Sequence, residues 1–222
     1  MFAALRLIGL AAVIVLAVLA GAWLAKHIGA FVLAYLTWAL VGLWGLFTIF
    51  TFYFFRDPDP MVPTGPKLVI APGHGKVDAI GTTTEPEYMG GECQRLSIFL
   101  SVIDVHVQNA PVTGRVAYVK HTPGQYLSAL KSESAQFNEN VLIGLQSAEP
   151  FGEKIGVRLI AGVIARRIVP WVGENDTVQR GERISLIQFG SRVDVYLPQR
   201  AQIKVNLGDR VAGGETVIAA FD

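Results

Sequence analysis

The chain has 222 residues, of which 51% are hydrophobic and 17% charged, and its formal net charge is +1 at pH 7. This balance, without a basic cluster, argues against nucleic-acid binding. The single cysteine, Cys93, excludes an internal disulfide, and no Cys or His cluster has metal-ligand spacing, so we expect no metal.

The amino-terminal quarter consists of two apolar runs, residues 7–25 and 28–55, separated only by Lys26 and His27. Each run reaches the roughly 20 residues that cross a bilayer core. A second long run directly after the first argues against a cleaved signal peptide. We therefore predict that residues 1–55 form an α-helical transmembrane hairpin, because the rest of the chain has nothing comparable to bury a core hairpin of this length. Whether both runs span the bilayer fully is left open.

The charges that flank the hairpin predict its orientation. Arg6 and Arg56 lie on one side, whereas Lys26 alone occupies the turn. Because positive residues collect on the cytoplasmic side, both ends are expected there. The prediction is a protein of the cell membrane with its soluble domain on the cytoplasmic face.

Residues 56–66 hold four prolines and a glycine and predict a stiff, non-helical linker. Residues 67–222 fit one mainly β domain, a folded sandwich or barrel, with helix expected only at 125–135 and around 165–172. Two segments, Val69–Val77 and Val205–Val217, look like hairpins of biotinyl- or lipoyl-type sandwiches. Strands are predicted at 67–71, 76–80, 95–107, 113–120, 141–146, 155–164, 183–189, 191–197, 202–206 and 216–221.

A Gly-Ser pair, Gly190-Ser191, separates two strand-like runs where a simple strand would continue. Val193, Val195 and Leu197 alternate with polar residues, which predicts a half-buried strand beginning after Ser191. Taken alone, the pair is typical of an ordinary bulge or turn.

The surrounding residues carry a family resemblance. Phe189-Gly-Ser followed by Val193-Asp-Val-Tyr-Leu-Pro198 resembles the self-cleavage segment of short-form phosphatidylserine decarboxylases, and the likeness extends in order from about residue 54 to 220. It implies a proenzyme that cuts itself between Gly190 and Ser191 into fragments 1–190 and 191–222, which remain associated. Ser191 would become a pyruvoyl group, the cofactor pyruvate.

The resemblance also implies the chemistry. The hydroxyl of Ser191 attacks the preceding carbonyl to form an ester, elimination leaves dehydroalanine, and hydrolysis with loss of ammonia gives the pyruvoyl group. Its carbonyl then serves as the electron sink while phosphatidylserine, a membrane lipid, loses carbon dioxide to become phosphatidylethanolamine.

The family pattern assigns roles to three further positions. His106, in a stretch similar to the family's His-Val-Asn strand, is the expected base, since a histidine with an ordinary pKa accepts a proton at neutral pH. Arg166 and Arg167 resemble the family's Ala-Arg-Arg-Ile stretch and are candidate headgroup ligands, with a structural ion pair or a solvated face as the alternative.

His74 departs from the family. Members usually have Pro-Ala-Asp-Gly where this chain has Pro72-Gly-His-Gly75, and the aspartate is thought to orient the base histidine. Three explanations remain open: His74 orients His106 or is itself the base; Asp78 or Asp104 supplies the charge; or self-cleavage is slow or absent.

The sequence is also compatible with functions other than phosphatidylserine decarboxylation. One is a membrane-anchored scaffold or adaptor that never matures. Another is a serine hydrolase using unmodified Ser191 and His106, and a third is a decarboxylase of a different serine-headgroup lipid. Homodimer formation is also open.

Overall fold

The structure is a computed structural model that describes residues 2–27, 31–127, 137–148, 152–162, 167–188 and 191–222. The chain divides into two compact units, residues 1–56 and 57–222. Gly190, Arg166 and most of the predicted helix 125–135 lie outside the described residues.

The first unit is a pair of helices, α1 (Phe2–His27) and α2 (Phe31–Phe54). The stretches Leu5–Leu24 and Phe31–Phe54 are long and apolar enough to cross a membrane, with mean hydropathies of 2.7 and 1.8. Most of their large apolar side chains point outward, as expected of helices that are hydrophobic all round. The hydroxyls of Thr37 and Thr51 donate to carbonyls one turn earlier, at 2.8 and 2.7 Å, so these polar groups are satisfied within the helix.

The second unit is built from short antiparallel strands. In chain order they are β1 (Leu68–Ile70), β2 (Gly75–Glu85), β3 (Gly91–Leu100), β4 (Val107–Asn109), β5 (Gly114–Thr122), β6 (Asn140–Ser147), β7 (Lys154–Ala161), β8 (Ile168–Pro170), β9 (Thr177–Val178), β10 (Arg183–Ile187), β11 (Ser191–Leu197), β12 (Gln202–Ile203), β13 (Arg210–Val211) and β14 (Val217–Ala220).

These strands form one large sheet and two small ones. The curled eight-stranded sheet has the order β13-β2-β3-β11-β7-β6-β5-β9, and the three-stranded sheets have the orders β1-β14-β12 and β4-β10-β8. Apolar residues of the large sheet's inner face, including Ile98, Val193 and Leu159, pack with Ile187 and Ile218 of the small sheets into one core. The prediction of a mainly β fold with two apolar helices is confirmed.

The strand after Ser191 differs from its prediction. All seven residues of β11 are buried, not only the apolar alternate ones. The reason is a second cluster, Tyr88, Cys93, Leu142 and Tyr196, which covers the other face of the sheet. Glu85 shapes the turn that brings Tyr88 there, because its carboxylate accepts the backbone N–H groups of residues 87, 88 and 89.

Two local predictions were wrong. The run 95–107 is not one strand, because a turn at residues 101–104 separates β3 from β4. Residues 168–170 form strand β8 rather than helix, since their backbone pairs with β10. Within the described part of 125–135, Gln125 forms an isolated bridge with Asn138.

The proline-rich segment 57–66 packs along the β domain. The Met61 N–H donates to Glu215 at 3.1 Å, and Arg180 donates to the Pro63 carbonyl at 2.8 Å. Arg183 forms ion pairs with Asp57 and Asp59, at 2.6 and 2.7 Å. The segment is non-helical, as its prolines require, and it is held by side chains of the domain.

Candidate active site

Ser191 occupies the first position of a central strand. It pairs with Leu100 of β3 on one side and with Ala161 of β7 on the other, and it is fully buried. Its hydroxyl oxygen has no hydrogen-bond partner among the described residues. A buried hydroxyl is normally paired, so an unpaired one calls for an explanation, and a catalytic role is one such explanation.

The chain crosses from one sheet to another between strand β10 and strand β11. Strand β10 ends at Ile187 in a three-stranded sheet, and β11 begins at Ser191 in the eight-stranded sheet. The Gln188 N–H donates to the Arg167 carbonyl at 3.2 Å, so the crossing starts beside Arg167. In sequence, the predicted cleavage bond therefore falls between the end of a strand of one sheet and the start of a strand of another.

His106 is fully buried at the same crossing. Its backbone carbonyl accepts the N–H of Ile187 at 3.1 Å. The two ends of the crossing are thus attached to one stretch of chain, Ile187 to His106 and Ser191 to Leu100. The topology brings the predicted nucleophile and the predicted base to one corner of the domain.

The hydrogen bond of the His106 ring determines which nitrogen can act as a base. Nδ1 lies 2.9 Å from the backbone carbonyl oxygen of Asp104. A carbonyl only accepts hydrogen bonds, so we assign the proton of the neutral ring to Nδ1. Nε2 then carries the lone pair and is the nitrogen able to take up a proton.

Gln108 is a residue whose role the sequence did not reveal. It is fully buried, its amide nitrogen donates to the His106 carbonyl at 2.6 Å, and its amide oxygen accepts from Ser185 of β10 at 2.7 Å. Gln108 therefore links His106 to the strand that leads into the crossing. The only sequence signal was its departure from the family's His-Val-Asn pattern.

His74 lies in the loop between β1 and β2 and is partly exposed. A Cβ placed on its neighbour Gly73 would lie 3.6 Å from Val193 and 3.7 Å from Leu100, so this loop packs on the strand pair that holds Ser191. A Cβ placed on Gly213 would lie 3.0 Å from the His74 ring, which is tighter than an ordinary van der Waals contact. The structure brings the His74 loop to the serine strand.

The carboxylates of the two aspartates considered as charge donors are engaged elsewhere. Asp78 pairs with Arg192, and Asp104 pairs with Arg210 while accepting the Ser101 N–H at 2.8 Å. Asp104 contacts His106 through its backbone oxygen instead. Burial raises the pKa of Asp78, and the nearby Arg192 opposes that rise.

Asn138 supports Ser191 from the other side. Its buried amide donates to the carbonyl of Ala161, the strand partner of Ser191, at 2.7 Å, and it also bonds both backbone groups of Leu127. Of the two candidate headgroup ligands, Arg167 is exposed at the start of the crossing, and Arg166 lies outside the described residues.

The geometry defines a mainly β domain that carries a buried serine and a buried histidine at one corner and that follows two apolar helices. A family profile described as phosphatidylserine decarboxylase matches residues 47–219. The chain belongs to the phosphatidylserine decarboxylase family and is thus a carboxy-lyase.

Individual relatives agree with the family match. The chain is 46% identical over 173 residues to a phosphatidylserine decarboxylase proenzyme of Desulfotalea psychrophila, covering 78% of this chain and 80% of the relative. A protein of the same name from Syntrophus aciditrophicus is 40% identical over 174 residues, with 78% and 81% coverage. One from Ruegeria pomeroyi is 38% identical over 202 residues, with 87% and 91% coverage. The family membership that the sequence resemblance indicated is confirmed.

Proposed function

We propose that this chain cuts itself between Gly190 and Ser191 and then decarboxylates phosphatidylserine to phosphatidylethanolamine. The observation that carries the proposal is the fully buried Ser191 hydroxyl, unpaired among the described residues, at the strand start that follows the crossing from β10. The relatives are named proenzymes, which agrees with a chain that needs processing.

In the first step, the Ser191 hydroxyl oxygen attacks the Gly190 carbonyl carbon while His106 Nε2 accepts the hydroxyl proton. The carbon–nitrogen bond breaks, and the proton returns to the Ser191 nitrogen, which leaves an ester. Glycine at position 190 places no side chain beside the attacked carbon. A weak nucleophile such as serine needs this kind of adjacent base.

In the second step, the Ser191 Cα loses a proton and the bond between Ser191 Cβ and the ester oxygen breaks. Gly190 departs as the terminal carboxylate of fragment 1–190. The dehydroalanine left at position 191 takes up one water and releases ammonia. This conversion consumes one water, releases one ammonia and requires no oxidant.

The resulting pyruvoyl group would supply a carbonyl that acts as the electron sink for decarboxylation of a primary amine. Position 191 suits such a group because it is fully buried and lies between two paired strands. The backbone pairs to Leu100 and Ala161 hold residue 191 in place, and burial keeps bulk water away from it. We assign the delivery and removal of protons to His106, whose carbonyl accepts the N–H of Ile187 at the end of β10.

We assign headgroup binding to Arg167, together with Arg166. Arg167 is exposed, and its carbonyl receives the Gln188 N–H, two residues before Gly190. An exposed guanidinium on a residue whose backbone meets Gln188 can bind the phosphate or carboxylate of a serine phospholipid through paired hydrogen bonds.

His74 is proposed as a second imidazole of the same site, which orients His106 or is itself the base. The support is the packing of its loop on Val193 and Leu100, next to Ser191. An imidazole can orient a neighbouring ring but stabilises its cation less than a carboxylate does. Self-cleavage is therefore expected to be slower than in a chain with aspartate at position 74.

The helical hairpin gives the enzyme its location. Two helices long and apolar enough to cross a membrane would keep the catalytic domain at the bilayer surface, where the lipid headgroup lies. The arginines that flank the hairpin favour the cytoplasmic face of the cell membrane. The fragments 1–190 and 191–222 are expected to stay together, because β11 is the central strand between β3 and β7.

The test is intact mass spectrometry of the full chain purified in detergent, beside Ser191→Ala. We expect fragments that end at Gly190 and begin at a blocked residue 191, together with release of carbon dioxide from phosphatidylserine vesicles. An uncut, inactive chain would favour a scaffold, and an uncut chain labelled by an acyl-directed serine probe would favour a hydrolase. A cut enzyme inactive on phosphatidylserine but active on another serine-headgroup lipid would correct the substrate alone.

A further inference from the structure

Asp78 sits at an irregularity in strand β2. Along β2 and β3, Val77 pairs with Ile98 and Ala79 pairs with Ser97, so Asp78 is an extra residue without a partner of its own. Such a β-bulge turns a side chain out of the regular alternation, and bulges are common beside active sites. The bulge therefore decides where the Asp78 carboxylate points.

The carboxylate reaches across β3 to the residue that follows Ser191. Asp78 Oδ1 accepts from Arg192 Nη1 at 3.0 Å, and Oδ2 accepts from Nη2, which makes a two-pronged ion pair. Arg192 is only 1% exposed although it is charged, and it lies opposite Phe99 of β3. A buried guanidinium is rarely tolerated without a paired carboxylate, so burial of Arg192 in this strand depends on Asp78.

Self-cleavage changes what holds the start of β11. Before the cut, residue 191 is joined covalently to Gly190 and through it to β10. After the cut, residue 191 is the end of a chain, and chain ends separate from their sheet more readily than strand interiors do. The backbone pairs to β3 and β7 remain, and the first side chain that can fasten the new end is Arg192.

We propose that the Asp78–Arg192 ion pair is an anchor that keeps residue 191 in its catalytic position once the Gly190–Ser191 bond is gone. Asp78 and Arg192 are then positioning residues, which act through residue 191 without touching substrate. The inference rests on the proposed function, since the anchor has a task only if the chain is cut.

A purely structural ion pair makes a different prediction. It would stabilise β11 equally in the uncut precursor and in the cut enzyme. An anchor matters mainly after the cut, because the covalent bond to Gly190 restrains residue 191 beforehand. The dependence on the processing state separates the two roles.

The experiment compares Asp78→Asn and Arg192→Lys in the full chain. Each is prepared in the self-cleaved form and, with Ser191→Ala added, in an uncut form. The matched control is Arg158→Lys, because Arg158 lies opposite Asp194 on the neighbouring strand and pairs with Glu85 at 3.3 Å. The measurements are the cleaved fraction by intact mass, hydrogen exchange of residues 191–197, and kcat and KM on phosphatidylserine vesicles.

For both anchor variants we expect complete cleavage and faster hydrogen exchange at the start of β11 in the cut form only. Misplacement of a reacting group by about 1 Å lowers turnover by up to about 100-fold, so kcat should fall about 10- to 100-fold while KM changes little. Arg158→Lys should leave kcat and the cut-form exchange near the parent values.

Equal exchange in cut and uncut forms, or an unchanged kcat, would overturn the anchor. If Asp78→Asn leaves Arg192 buried without a carboxylate and the protein does not fold, the same comparison rests on Arg192→Lys. That variant keeps the charge and loses only the two-pronged geometry. An unsubstituted chain that is never cut counts against the proposed function itself. A cut and active parent with unaffected anchor variants counts only against this inference.

Discussion

Replacing His106 by asparagine tests the base most directly. The asparagine amide nitrogen can occupy the place of Nδ1 and donate to the Asp104 carbonyl, which now lies 2.9 Å from the ring. The buried hydrogen bond is therefore kept, and only Nε2, the nitrogen that accepts the proton, is removed. The variant separates loss of the base from loss of the fold.

The size of the effect follows from this geometry. A positioned general base contributes about 100- to 10,000-fold to a rate, which corresponds to about 3 to 5 kcal/mol of activation free energy. Self-cleavage of His106→Asn should slow by that factor. The thermal unfolding midpoint should change little, because the residue that replaces the imidazole keeps the hydrogen bond to Asp104.

The assay is the time course of fragment 191–222 by intact mass spectrometry after expression of the full chain. The matched control is His121→Asn, since His121 lies on strand β5 with a 54% exposed side chain and contacts Glu139 at 3.3 Å. The control should be cut at the parent rate. If His106→Asn were also cut at the parent rate while folded, His106 would not be the base.

Four further outcomes are expected. His74→Ala should slow self-cleavage about tenfold or more if its imidazole orients the base, and cleavage at the full rate would remove His74 from the mechanism. Arg167→Gln should raise KM for phosphatidylserine vesicles about tenfold with kcat nearly unchanged, as expected for a lost charged hydrogen bond; a fall in kcat alone would contradict headgroup binding. Gly144→Ala places a Cβ 2.5 Å from the Tyr88 ring and should cost about 1–3 kcal/mol in denaturant unfolding; unchanged stability would mean that Tyr88 can move away. Burial raises the pKa of Asp194, so the folded chain binds the carboxyl proton more tightly than the unfolded chain does. The protonated carboxyl therefore contributes stability at low pH, and this contribution is lost as pH rises through the pKa of the folded state. Asp194→Asn should be more stable than the parent in thermal unfolding at about pH 8 and not at acidic pH.

For the segment 57–66, composition predicted the backbone conformation but not the contacts. Its prolines predicted a stiff and non-helical stretch, and the structure has no helix there. Composition did not predict that Arg183 would pair with both Asp57 and Asp59, or that Met61 would bond Glu215. These partners lie more than a hundred residues away, so local pattern contains no information about them.

The sequence alone determined the division into apolar helices and a mainly β domain, because unbroken apolar runs and two-residue alternation are local properties of the chain. It also marked Ser191, His106 and the family. Only the tertiary structure decided that the polar positions of β11 are buried. Tyr88 and its neighbours cover the second face of the sheet, and Arg192 finds Asp78 across β3, 114 residues away in sequence. Likewise, the His106 ring is hydrogen-bonded to the backbone carbonyl of Asp104. Every residue has such a carbonyl, so the sequence does not show which one will face the ring in the folded chain.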